Sequence, residues 1–429
     1  MSDADPATTA LRERGVGRGA LADLRSALDR VTRPPLATAV AALMLALLVV
    51  VVAGHIATLA APSHGNIETG TGDFLAFWTG ATMIHDGHGT ALYEIAAQRE
   101  LQARILGGAS PELQPYLNPP LLALLLSPLV VLGYVRGFLV FIVACAMALA
   151  AGLAMLLRVL PAIRARAWGT WTLVFAIASF QPMLQTTFGG QNTPISFALL
   201  AALAASLRRG STAGVALALG LLSYKPQYAV GIGAALLVGG CWRALAGAGA
   251  VAAAHWLAGT LVCGLAWPAQ MLDFLRIYRP AELRENLAEH FSWVRTADFL
   301  FPSPLDTVLA VLGVVAIVAL WWRYRALARE GAPAWTALAV TGTMLASPHE
   351  QYYDAALLVL PVALLVEHGL ARDRSPSLAA RIALAAVYVG YPLWEWAPTL
   401  GIQPLFLVLA ALFAWSVSAC REAAAAAPA

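Results

Sequence analysis

Residues 137–157 read GFLVFIVACAMALAAGLAMLL. The stretch has no charged side chain. At a rise of about 1.5 Å per residue it crosses the ~30 Å hydrocarbon layer of a bilayer as one helix. The same texture recurs on both sides of it. Apolar runs cover 36–61, 118–134, 137–157, 168–187, 193–207, 211–223, 226–240, 244–266, 304–322, 334–346, 351–367, 378–397 and 402–420. They are continuous rather than alternating, which excludes a β-barrel. Of the 429 residues 60% are hydrophobic and 12% charged, and the mean hydropathy is +0.71. That is more apolar surface than a soluble core buries, so a soluble enzyme, a disordered chain and a disulfide-stapled secreted module are excluded. The predicted fold class is an all-α polytopic membrane protein.

Residues 1–33 are polar and rich in Arg, and the run that follows is too long for the apolar core of a cleaved signal peptide. They are expected to form a cytoplasmic tail, with an interfacial helix around Leu21–Leu28. Residues 34–420 are expected to form one transmembrane domain, and 421–429 a second cytoplasmic tail. Arginine placement orients the chain. With the tail inside, the turns bearing Arg158, Arg208, Arg243, Arg323, Arg372 and Arg421 also fall inside, provided one of the runs within 118–157 does not cross. Asn118-Pro119-Pro120 opens 118–134 and Pro128 interrupts it, so this run is read as re-entrant or interfacial. Twelve spans result, with both termini inside. Several runs are shorter than the ~20 residues of a straight span, which is tolerated beside a protein-lined cavity.

This arrangement gathers the polar chemistry on the outer face. Two large outer loops, 62–117 and 267–303, carry most of the acidic residues there. Asp73 stands beside Phe74, Phe77 and Trp78 at a membrane boundary, a setting that raises a carboxyl pKa and suits a general base. It is equally placed to cap a helix running from Phe74 to His85. Lys225 is the single lysine among 27 basic residues and lies between two apolar runs. A charge there needs a partner, either a bound phosphate or a protein carboxylate. Ser347-Pro348-His349-Glu350-Gln351-Tyr352-Tyr353 clusters hydroxyls, an imidazole and a carboxylate, with His349 suited to a phosphate. Gln191 and Asn192 follow two glycines, and neutral amides there suit sugar hydroxyls or a capped loop. The four cysteines and eight histidines show no metal-ligand spacing, there is no Gly-rich nucleotide loop, and the first outer loop has no acidic DxD pair. No metal or other cofactor and no nucleic-acid partner is expected. An enzyme facing outward would need its activated substrate delivered on a lipid.

In order along the chain stand Gly72-Asp73-Phe74, Gly89-Thr90-Ala91-Leu92-Tyr93, Asn118-Pro119-Pro120-Leu121 with Ser127-Pro128-Leu129, Gly190-Gln191-Asn192, Ser223-Tyr224-Lys225-Pro226 and Ser347-Pro348-His349. This series resembles glycosyltransferase family 87, the polyprenol-phosphate-mannose-dependent mannosyltransferase-like proteins of the GT-C superfamily, over about Leu36 to Val417. Two departures stand out: Asn118 where the family has Tyr, and a Gly-Gln-Asn segment one residue shorter than the common form.

The resemblance implies a GT-C helical bundle whose first outer loop holds interfacial helices and the catalytic aspartate, in a bacterial inner membrane with the active site outside. It implies a polyprenyl-phosphate sugar donor, most often mannose and alternatively arabinose, a glycolipid or polysaccharide acceptor, and inversion at the anomeric centre. Carried onto this chain, Asp73 is the base, Lys225, His349 and Tyr352 hold the donor phosphate with help from Arg276 or Arg279, and Gln191, Asn192 and Trp78 contact substrate. Membrane lipids are the remaining expected partners. The competing readings are a flippase for a lipid-linked sugar, or a polymerase or ligase using diphosphate-linked glycans.

Overall fold

The computed structural model describes residues 72–108, 113–285, 290–373, 378–389 and 404–426, with isolated positions between 38 and 54. The expected tail at 1–33 and its interfacial helix, most of the run 36–61, and the end of the run 378–397 lie outside the described residues. Among those described the chain is helical, and the extended pairing is a single antiparallel bridge between His290 and Gln351.

Five helices are long and apolar enough to cross a bilayer: Tyr134–Leu157, Trp242–Cys263, Leu305–Arg323, Tyr352–Leu370 and Pro404–Ala426. On three of them much of the apolar surface faces outward. Val143 and Met147, Leu257 and Leu261, and Val311 and Val315 are all exposed, Leu261 to 78%. A helix apolar on its outer face needs hydrocarbon rather than water around it. The apolar segments Pro120–Leu132, Gly169–Ala178, Thr193–Arg208, Thr212–Tyr224 and Pro226–Val238 are shorter than a straight span. Among the described residues the structure therefore gives five helices of full spanning length and a set of shorter apolar helices, as the short runs in the sequence lead one to expect.

Prolines account for the difference. Pro120, Pro161, Pro182, Pro194, Pro226 and Pro333 each stand in the first turn of a helix. There the missing N–H bonds nothing in any case and the fixed φ suits the helix. Pro182 splits the predicted run 168–187. The helix Gly169–Ala178 stops, Phe180 turns extended, and a second helix starts at Gln181. The segment 118–134, expected to be re-entrant, forms the short helix Pro120–Leu126 and a 3-10 stretch to Leu132. Gly133 then takes φ +79° and Tyr134 opens the long helix.

Two apolar clusters organise the molecule. The larger joins the bundle, where Thr193–Arg208 packs along Tyr134–Leu157, Thr212–Leu221 along Trp242–Cys263, and Pro333–Ala346 along Pro404–Ala426. The smaller is built around Phe74, Trp78, Tyr116, Phe138, Phe141 and Trp267 and covers one end of the bundle. The first outer loop of the sequence reading holds the helices Phe74–His85 and Ile95–Leu106. The second contains Trp267–Glu285 and Trp293–Leu300. Span Tyr352–Leu370 joins the two ends of the bundle. Its first turn carries Asp354. Its last turn carries Glu367, whose carboxylate accepts the N–H groups of Ala162 and Ile163 at 2.8 and 2.9 Å.

The smaller cluster is pinned by two glutamines one helical turn apart. Gln98 is fully buried, donates to the Leu92 carbonyl at 2.8 Å and accepts the Tyr116 N–H at 2.9 Å. Gln102 donates to the Gln114 carbonyl and accepts the Gln114 N–H. The extended segment before Asn118 thus has its backbone groups bonded by side chains where no strand is available. Replacing Gln98 by Leu leaves those backbone groups orphaned, at about 1–3 kcal/mol each. Gln98→Leu is expected to lower the thermal unfolding midpoint in detergent by several degrees. An unchanged midpoint would show that the segment is held otherwise.

Candidate active site

Asp73 precedes the helix Phe74–His85, as the sequence predicts, but its side chain caps nothing. Its backbone is already near-helical (φ −68°, ψ −5°), whereas a capping side chain reaches its helix from an extended residue. The carboxylate instead accepts a hydrogen bond from Gln191 Nε2. Asn192 repeats the pattern. It stands before the helix Thr193–Arg208 without a side-chain cap. Its Oδ1 and Nδ2 are buried with no hydrogen-bond partner among the described residues.

Glycines permit this approach. Gly72 takes φ +50° and lies directly on Gly189, whose carbonyl accepts the Asp73 N–H at 3.2 Å; a Cβ on Gly72 would collide with that carbonyl. Gly190 takes φ +75°, which returns the chain toward Asp73.

One residue beyond Asn192, Thr193 Oγ1 donates to Asp354 Oδ1 at 3.3 Å. The same oxygen accepts Lys225 Nζ at 3.0 Å, with side-chain exposures of 6% for the lysine and 1% for the aspartate. Lys225 lies between the 3-10 turn Leu222–Tyr224 and Pro226, and its ammonium faces the rings of Tyr228 and Tyr353 at 5.7 and 5.8 Å. Tyr228 Oη donates to Glu350 Oε2 at 2.7 Å. Glu350 is fully buried. Its backbone carbonyl lies 3.1 Å from His290 Nδ1 and accepts the Phe291 N–H. The rings of His290 and His349 are 5.5 Å apart, and the Ser347 hydroxyl bonds the backbone of His349.

Polar contacts thus follow one another from Asp73–Gln191, along the chain to Thr193 and the Lys225–Asp354 pair, past the Tyr228 ring to Glu350, whose backbone carbonyl lies beside His290 with the His349 ring next to it. Burial raises the pKa of Asp73. The Gln191 amide and the Lys225 charge pull it back, and Asp354 pushes it further up. Burial, then Asp354, drives the Glu350 carboxyl well above the usual carboxylate range, against the pull of Tyr228, Lys225 and Ser347.

The structure thus brings together Asp73, Gln191, Asn192, Lys225 and His349. It leaves others elsewhere. Trp78 is 4% exposed and packed against Phe74 and Tyr134 under Gly137, in the aromatic core. Tyr352 packs edge-on against Tyr353, and it is the latter ring that faces Lys225. Arg276 is exposed and paired with Asp273 at 2.8 Å; the Arg279 side chain lies outside the described residues. Thr193, Tyr228, His290 and Asp354 join the residues that the sequence singles out. Asp354 follows directly on the polar segment 347–353, one turn from its Glu350, whereas His290 is delivered by the bridge to Gln351, which nothing local announces.

An apolar groove of about 460 Å³ is lined by Ser223, Pro226, Gly233, Gly249, Trp256 and Met271 among others, so it includes Pro226, the residue after Lys225. A Cβ placed on Gly233 or Gly249 meets nothing within 4 Å, so these glycines hold space open. Ser223 Oγ and His255 Nδ1 form a 2.8 Å hydrogen bond.

Comparison with curated proteins and with solved structures gives no match. The family model of glycosyltransferase family 87 matches residues 116–348, more than half of the chain. That span contains Gln191, Asn192 and Lys225 and ends immediately before His349, so part of the polar network lies inside it and part on either side. On this match the chain belongs to glycosyltransferase family 87.

Proposed function

We propose that this chain is an integral-membrane inverting glycosyltransferase that moves a sugar, mannose first and arabinose second, from a polyprenyl-phosphate donor to a glycolipid or polysaccharide hydroxyl. We place the reaction on the outer face of a bacterial inner membrane, with both termini cytoplasmic. The observation that carries the reading is the joining of Asp73 to the Lys225–Asp354 pair through three consecutive residues, Gln191 to Thr193.

In this mechanism Asp73 accepts the proton of the acceptor hydroxyl as its oxygen attacks the anomeric carbon. The bond from that carbon to the phosphate oxygen breaks on the opposite face, so a β-linked donor gives an α-glycoside. The electron pair leaves with polyprenyl phosphate. In this reading Lys225 and His349 stabilise the charge that grows on that phosphate, and in a low-dielectric site a fixed cation does so without solvent reorganisation. One ammonium and imidazoles suit a phosphomonoester leaving group, so the reaction as drawn uses no metal. Asn192, buried with both amide atoms unpaired, is the candidate contact for a sugar hydroxyl. The apolar groove is the candidate site for the prenyl chain, because Ser223 and Pro226, close to Lys225 in the chain, are among the residues that line it.

Three outcomes are expected. In lipid nanodiscs, with a panel of labelled polyprenyl-phosphate sugars and a bacterial lipid extract, the protein transfers label to a new lipid or glycan, and Asp73→Asn lowers the rate by about 10³-fold. A protein that binds no monophosphate-linked donor would instead be a flippase or a user of diphosphate-linked glycans. The base must be ionised, so activity falls as pH drops through the raised Asp73 value. Gln191 favours the carboxylate, so Gln191→Leu raises that value further and shifts the acidic limb of the rate profile to higher pH; an unmoved or lowered limb contradicts Asp73 as base. Gly249→Leu fills the groove while improving helix propensity by roughly 1 kcal/mol. It is expected to cost about tenfold or more in kcat/KM with a long prenyl donor and little with a ten-carbon one. Equal losses with both donors would remove the groove from the donor site.

A further inference from the structure

Asp354 has no part in the transfer chemistry described above, yet it holds the only lysine of the chain. The pair is buried on both sides and its ammonium–carboxylate distance is 3.0 Å. Thr193 Oγ1 lies 3.3 Å from Asp354 and 3.5 Å from Lys225 Nζ, closing a three-membered set. Three separate elements supply it: the start of Thr193–Arg208, the residue before Pro226–Val238, and the first turn of Tyr352–Leu370.

Stability does not account for such a pair. Desolvating two charges offsets most of their attraction, and apolar side chains of similar volume usually serve a core as well or better. A structural lysine near a helix end would also be expected to extend its head to water, and this one is turned inward. What the arrangement does provide is a cation fixed in place. The surrounding groups are the rings of Tyr228 and Tyr353, with Glu350 behind Tyr228 and Asp73 within electrostatic reach.

We propose that Asp354 is a positioning residue: with Thr193 it holds the Lys225 ammonium, preset and charged, where the leaving phosphate of the donor develops its charge. The proposal rests on the polyprenyl-phosphate reading above. It deepens that reading by assigning the orienting group of the phosphate-binding lysine. Because the charge on the leaving oxygen grows toward the transition state, losing the orientation slows turnover more than it weakens donor binding.

The test uses the full chain in nanodiscs, with a polyprenyl-phosphate sugar as donor and thermal unfolding as a second readout. Asp354→Asn is expected to lower kcat by about 100-fold, with the donor KM within about threefold of wild type. Asp354→Glu, which keeps the carboxylate, is expected to return kcat to within about tenfold. The double variant Lys225→Met/Asp354→Leu removes both charges together. It is expected to unfold at or above the wild-type midpoint while transferring no faster than Lys225→Met alone.

Near-wild-type kcat in Asp354→Asn overturns the proposal, as does transfer that recovers together with stability in the double variant. Should Asp354→Asn lose its fold, the double variant compared with Lys225→Met decides alone. A wild-type protein that takes sugar from no prenyl monophosphate defeats the donor reading itself, a result distinct from active wild type with an indifferent Asp354.

Discussion

A lone ammonium among apolar helices is the constraint around which this molecule is arranged. Lys225 lies at the junction of two short apolar helices with little of its side chain exposed, where an unpaired charge is not tolerated. Removing one partner of such a pair leaves a buried charge uncompensated at a cost of about 3–5 kcal/mol, so any packing of the three surrounding elements has to bring the partners together. The start of Thr193–Arg208 supplies Thr193 and Tyr352–Leu370 supplies Asp354. The segment that brings Thr193 also brings Gln191 to Asp73. Placing the lysine therefore also sets where the Asp73 carboxylate stands relative to the buried Lys225–Asp354 pair.

Short helices are what allow polar side chains from several elements to meet in so apolar a chain. A full span satisfies every backbone group within itself and leaves no place for side chains from several helices to meet. Here Pro182, Pro194 and Pro226 start helices, so the turns before them can carry Gln191, Asn192 and Lys225 inward. The glycine pairs at 72 and 189–190 bring two such turns into backbone contact. The smaller aromatic cluster sits over this end and holds the helix that follows Asp73. The buried glutamines 98 and 102 in turn fix that cluster to the segment leading into Asn118 and Pro119. The apolar groove continues the same logic, since Gly233 and Gly249 leave on facing helices the space that side chains would fill.

Much of this was legible along the chain, and for identifiable reasons. The helix Phe74–His85, the start of the bundle helix at Thr193 and the break before Pro226 follow from proline, glycine and apolar patterning, which act within a few residues. Asp73, Lys225, Gln191, Asn192 and His349 stood out because polar side chains are rare here, and a rare polar residue in an apolar setting needs a reason. The packing of Trp78 against Phe74 and Tyr134 in the aromatic core is a tertiary fact that its place five residues after Asp73 does not announce. The Pro182 break inside the run 168–187 is visible only in the structure, because hydropathy registers apolar residues but not where a helix restarts.

The sequence by itself determined that this is a helical membrane chain with its chemistry confined to a few polar turns, because hydropathy and the geometry of proline and glycine are local properties. Only the tertiary structure decided which of those turns meet. Asp73 and Gln191 are 118 residues apart, and Lys225 and Asp354 are 129 apart. No spacing rule links such pairs. Their union depends on how whole helices pack, and on the cost of leaving a charge without a partner.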